Sequence, residues 1–84
     1  MSKKMRKFTQ LNALKGRIRE VGTTYYEVAG ELGIAVNTFS NKINGFSVFS
    51  LLEVIRIATI LDIDPGDIAH YFMPIYDVNC KIAI

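Results

Sequence analysis

The sequence holds one cysteine, Cys80, and one histidine, His70. A lone cysteine closes no internal disulfide, and no second one completes a metal-binding spacing. His70 and Cys80 fall in different predicted elements, neither with an orienting partner, so nucleophilic or acid–base catalysis has no constellation to rest on. The chain is therefore expected not to be an enzyme, with no catalytic residues. Asp62, Asp64 and Asp67 lack the ligand spacing of a calcium loop, and no metal site is expected. No apolar run is long enough for a secretory core or a membrane span, which makes cytoplasmic residence, with no membrane partner, the expectation. Repeats and low-complexity tracts are also missing.

Acidic residues are scarce in the first half. Residues 1–42 carry eight Lys/Arg against three Asp/Glu, a net of +5, and residues 43–84 carry two against five, a net of −3. The basic end either meets a large anion such as nucleic-acid phosphate or is an ordinary solvated face. Half of the 84 residues are apolar and 21% are charged, a globular balance with room for one domain over 1–84. No accompanying ligand-sensing domain and no small-molecule ligand are expected.

Helical periodicity starts at about Thr9, where Leu11, Leu14, Ile18 and Val21 fall on one face of a helix running to Val21. Gly16 weakens this helix and suggests close packing at that point. Gly22 ends it. Thr24 and Glu27 then have capping-box spacing for a second helix, Tyr25 to Leu32, with Val28, Ala29 and Leu32 inward and Gly33 as the left-handed stop. A third helix is expected over Val36 to Ile43, ended by Asn44-Gly45, with Ile34, Phe39 and Ile43 inward. Phe46 and Phe49 are further core candidates. Ser50 and Glu53 form a second capping box opening a fourth helix to Leu61, apolar nearly all round and so buried at the bundle centre or against a partner chain. Asp64 as N-cap, Pro65 at the first position and Asp67 open a short fifth helix ending near Phe72.

From Tyr76 the pattern changes to period two. Tyr76, Val78, Cys80, Ile82 and Ile84 alternate with Asp77, Asn79 and Lys81, as in a half-buried strand. Such a strand pairs with the N-terminal segment, with a symmetry mate, or with both; otherwise the end is frayed. The tail 74–84 is thus a candidate dimerisation element.

Two short helices around a tight glycine turn, the second with outward Asn, Thr and Ser, make a helix-turn-helix over residues 24–44. The run from Thr24-Tyr25-Tyr26-Glu27-Val28-Ala29-Gly30-Glu31-Leu32-Gly33 through Ile34-Ala35-Val36-Asn37-Thr38-Phe39-Ser40-Asn41-Lys42-Ile43-Asn44-Gly45 resembles the Cro and lambda-repressor family. It is most similar to short phage and prophage regulators whose recognition helix ends Lys-apolar-Asn-Gly. The likeness extends from about Leu14 to Phe72. It implies an all-α, five-helix lambda-repressor-like DNA-binding domain, here with a candidate C-terminal β-strand, which binds a dyad operator in double-stranded DNA as a homodimer and needs no cofactor.

By position in the motif, the resemblance implies base reading by Val36, Asn37, Thr38 and Asn41, with Ser40 nearby. Asn pairs bidentately with adenine, and Val36 and the Thr38 methyl suit a thymine methyl. Thr24, Tyr25, Lys42 and Asn44 fall where the family contacts phosphate. Tyr25 departs from the glutamine common there and offers only a hydroxyl. Lys3, Lys4, Arg6 and Lys7 form a basic arm that tracks the DNA or is a solubilising tail. The resulting expectation is a sequence-specific transcription regulator, a phage-type repressor. The alternative keeps the fold but binds protein, as an anti-repressor or antitoxin.

Overall fold

The computed structural model describes residues 8–73. They form α1 (Asn12–Val21), α2 (Tyr25–Leu32), α3 (Val36–Ile43), α4 (Leu51–Ile60) and α5 (Ile68–Phe72), the last preceded by a 3-10 turn over Pro65–Asp67. The architecture is all-helical with five helices, and no strand occurs among the described residues. The expected strand from Tyr76 and the basic arm Lys3, Lys4, Arg6 and Lys7 lie outside them.

The core is the sum of the inward stripes. Leu14 and Ile18 of α1, Val28, Ala29 and Leu32 of α2, Phe39 and Ile43 of α3, Val54 and Ile57 of α4, and Leu61, Ile63 and Phe72 make one buried cluster. α2 packs against α3 and α4, and α1 against α3 and α5. An edge-on aromatic series threads this core, from Tyr25 to Phe39 (centroids 5.4 Å), Phe39 to Phe49 (5.4 Å) and Phe49 to Phe72 (6.2 Å). These separations suit the ring quadrupoles and tie the start of α2 to the end of α5.

Four helices stop by the same device. After α1 the Thr23 and Gly22 N–H groups donate to Ile18 and Arg19, and after α2 the Ile34 and Gly33 N–H groups donate to Ala29 and Gly30. α3 closes through Phe46 to Asn41 and Gly45 to Lys42, and α4 through Ile63 to Ala58 and Asp62 to Thr59. This paired pattern needs a left-handed residue just past the helix. Gly22, Gly33 and Gly45 provide it at φ 88°, 77° and 92°, and Asp62 does so at φ 55°.

The first helix begins at Asn12 rather than Thr9. The Phe8 N–H donates to the Gly45 carbonyl (2.9 Å) and the Leu11 N–H to that of Ile43 (3.0 Å). Phe8 and Leu11 are thus stitched to the end of α3, and the chain turns helical only after Leu11. Val21, expected inward, is exposed; it is the last residue of α1, next to the left-handed Gly22 that ends the helix. Gly16 is exposed, and a β-carbon built on it meets nothing within 4 Å, so close packing does not explain it.

The expected box at α2 is half formed. The Glu27 N–H donates to Thr24 Oγ1 (3.1 Å), but the Glu27 carboxylate accepts from the Thr23 hydroxyl (2.9 Å) instead of returning to the cap. A hydroxyl donor to a carboxylate makes a short charge-assisted bond, and Thr23 lies within reach. At α4 both halves of the box between Ser50 and Glu53 are present. Asp64 makes no side-chain cap; the Asp67 N–H donates to its carbonyl (2.8 Å), closing the 3-10 turn.

The all-round apolar character of α4 is not matched by all-round burial. Leu51, Leu52 and Ile55 stand 75%, 59% and 54% exposed. Arg17 of α1 supplies a feature that periodicity missed. Its guanidinium donates to the Leu61 carbonyl (3.0 Å) and the Asp62 carbonyl (3.3 Å), capping the end of α4, while it pairs with Glu20 at 3.1 Å.

Candidate nucleic-acid interface

α3 is amphipathic because Phe39 and Ile43 anchor it to the core and every residue between them is polar. At 100° per residue, Asn37, Ser40 and Asn41 share the middle of the outward stripe, with Val36 and Thr38 on its margins. Val36, Asn37 and Thr38 are exposed, and Ser40 and Asn41 are half-buried. All five expected base-reading residues therefore lie on one accessible surface. Asn44 donates from Nδ2 to Ser40 Oγ (3.2 Å), bracing the last turn.

The remaining expected positions divide. Thr24 is exposed at the start of α2, where its Oγ1 is occupied by the Glu27 N–H. Tyr25 leans its ring on Phe39, and burial raises its hydroxyl pKa above the ordinary value, an effect opposed by the nearby Arg19 guanidinium. The phenol therefore stays protonated and available as a donor. Arg19, in the last turn of α1, thus stands beside the α2 N-terminus. The sequence places it in the basic half, but only the turn at Gly22 shows that it comes there.

Lys42 is differently engaged. Its ammonium sits 2.7 and 2.9 Å from the two Glu53 carboxylate oxygens and 5.9 Å from the centre of the Phe49 ring, with both ionic side chains largely buried. Burial pushes the Glu53 carboxyl up, but bonds from Lys42 and the Ser50 N–H, with the Lys42 charge, outweigh it and hold the group below its ordinary value. The capping box of α4 and the end of α3 are thereby one ionic unit.

A shallow groove borders the same surface. Tyr26, which is 75% exposed, joins Glu27, Glu31, Ile34 and Val36 along it. Its mixture of apolar residues with two carboxylates is not evident from the sequence, because Glu27 has capping-box spacing and Glu31 sits in an ordinary polar position. A second cleft, of about 260 Å³, is lined by Lys42 at the end of α3 together with Phe8, Leu11, Phe49, Val54 and Phe72 among others. Among the described residues no group of His, Cys, Asp or Glu could hold a metal ion, and no helix is long and apolar enough to cross a membrane. His70 is exposed, its ring 4.9 Å from that of Tyr71.

The molecule is thus a small helical bundle that displays one short helix with an amide and hydroxyl face. Its sequence from residue 8 to 74 matches the model of the DUF739 family, described as proteins of unknown function, and the chain belongs to that family. It is also similar to the solution structure of the modulator of repression (MOR) of the temperate bacteriophage TP901-1 from Lactococcus lactis. The two are 30% identical over 76% of this chain and 86% of that one, with a TM-score of 0.63. No curated protein matches the chain.

Proposed function

We propose that the chain is a phage-type transcription regulator that binds double-stranded DNA through the outward face of α3, as a repressor on a dyad operator. The observation that supports this most directly is the Asn37, Ser40 and Asn41 stripe, flanked by Val36 and Thr38. It offers amide groups for adenine edges and methyl groups for thymine on a helix narrow enough for the major groove. Thr24, Tyr25 and Arg19 at the α2 N-terminus and Asn44 at the α3 end serve phosphate. Lys42, already neutralised by Glu53, is left out of that set. Binding as a homodimer places the half-sites about 34 Å apart. No catalysis, metal or cofactor enters this reading.

A second reading is favoured by the groove along Tyr26, Glu27, Glu31 and Val36 and by the MOR likeness. In it the same surface meets a protein carrying basic side chains, and the chain modulates another regulator's repression. Carboxylates at the rim of a groove repel phosphate and attract Lys or Arg.

Selection of bound sites from random duplex DNA separates the two. Recovery of a dyad sequence with A·T pairs under α3 supports the first reading. If no sequence is enriched at moderate salt while a co-expressed regulator co-purifies with the chain, the first is wrong and the second stands.

A further inference from the structure

Two helical hydroxyls of the bundle are used in opposite ways. Thr59 on α4 donates to the Ile55 carbonyl one turn back (3.0 Å), the ordinary use of a hydroxyl inside a helix. Ser40 on α3 makes no such bond. Its Oγ instead accepts from Asn44 Nδ2 one turn ahead (3.2 Å). Among the described residues nothing accepts the Ser40 proton. Ser40 also lies in the middle of the outward stripe of α3, beside Asn37 and Asn41.

A hydroxyl has one proton and two lone pairs, and an amide NH2 group can only donate to it. With one lone pair taken by Asn44, the proton needs an acceptor in front of the helix. We infer that Asn44 is a positioning residue that sets Ser40 as a hydrogen-bond donor toward the molecule α3 meets. Resting on the DNA-binding reading, this makes Ser40 select an accepting base edge. Guanine accepts at N7 and O6 and thymine at O4, whereas cytosine offers its N4 donor. Against cytosine the remaining lone pair accepts, but the proton is then stranded without a partner in the protein. A stranded proton costs more than an unused lone pair. Serine alone contacts either kind of edge, so the discrimination comes from Asn44.

Selection of bound sites from random duplex DNA, run on wild type, Ser40→Ala, Asn44→Asp and the double variant, tests this. The position in each half-site that loses its preference in Ser40→Ala is the one Ser40 reads. Wild type should favour guanine or thymine over cytosine there by about two- to tenfold, the worth of one neutral hydrogen bond. Asn44→Asp keeps the shape of the side chain, but a carboxylate only accepts. It takes the Ser40 proton and leaves lone pairs facing the DNA, so the preference should turn to cytosine or adenine, whose N4 and N6 donate. The added charge lowers affinity for every sequence alike and does not alter this profile. In the double variant the aspartate has no hydroxyl to act through, and nothing should shift at that position.

A Ser40→Ala profile identical to wild type, a wild-type preference for cytosine, or an Asn44→Asp profile unchanged at the Ser40 position overturns the inference and leaves the DNA-binding reading standing. So does an equal shift in the double variant, which would mean that residue 44 meets the base itself. Enrichment of no sequence by wild type overturns the DNA-binding reading and this inference with it.

Discussion

At the scale of single residues, Glu53 does the most. It caps α4 through Ser50, neutralises Lys42 and so ties the end of α3 to the start of the next helix. Its pKa is held below the ordinary 4.5. A depressed folded-state value contributes stability that is present above the unfolded value and lost as pH falls through the folded one. Glu53→Gln keeps an acceptor for the Ser50 N–H but has no charge to titrate. It should cost about 1 kcal/mol at pH 7, and the gap from wild type should narrow in thermal melts taken from pH 5 down to pH 2. A gap that stays constant over that range would show that Glu53 acts by shape alone. Asn37, by contrast, touches nothing in the core, so Asn37→Ala should leave the melt unchanged. On the DNA-binding reading it relaxes preference at one base position by about 1–3 kcal/mol in competition binding. Equal losses on operator and random DNA would deny it a base-reading role.

At the scale of elements, α2 and α3 were legible to the residue because each is bounded by strong local signals: Thr24 and Gly33 for one, Asn44-Gly45 for the other. The amphipathic split of α3 placed Val36, Asn37, Thr38, Ser40 and Asn41 outward for the same reason, but it also put Lys42 there, which Glu53 of the next helix draws in. Misreadings arose where a distant partner intervenes. The start of α1 depends on carbonyls at the end of α3, and the capping role of Arg17 depends on the end of α4, neither of which periodicity within one helix reveals. Asp62 escaped notice because a left-handed stop is read from glycine, and here an acid occupies the position at φ 55°. That residue carries both a steric cost and a negative charge at the negative end of the α4 dipole. Asp62→Gly should therefore stabilise the fold by about 1 kcal/mol, a rise of roughly 4–8 °C in Tm; a lower Tm would mean that the carboxylate has a stabilising partner. Gly16→Ala, in open space on α1, should add about 0.5–1 kcal/mol. If it destabilises instead, another surface occupies that face in solution.

At the scale of the whole molecule, charge decides how a DNA-binding reading can work. Residues 8–73 carry five Lys/Arg against seven Asp/Glu, a net of −2, although the full chain is +2. Asp77 and Lys81 cancel, so the entire excess comes from Lys3, Lys4, Arg6 and Lys7. Within the described bundle, Arg17 and Lys42 are already paired with carboxylates. On the DNA-binding reading the arm adds four cations to the phosphate contacts of the α2 N-terminus, and the hydrogen bonds of Phe8 and Leu11 to Gly45 and Ile43 hold Phe8, the residue that follows the arm in sequence, beside the end of α3. Replacing the four basic residues with Gln preserves chain length and leaves all core residues in place. Its circular dichroism and melt should match wild type, while DNA affinity at low salt falls by orders of magnitude. Since each neutralised phosphate contributes about 0.9 to the slope of log affinity against log salt, the variant's slope should be shallower by about 3–4. An unchanged slope would place the phosphate contacts on Arg19 and the α2 N-terminus alone. Loss of affinity for a protein partner with no effect on DNA would instead assign the arm to the second reading.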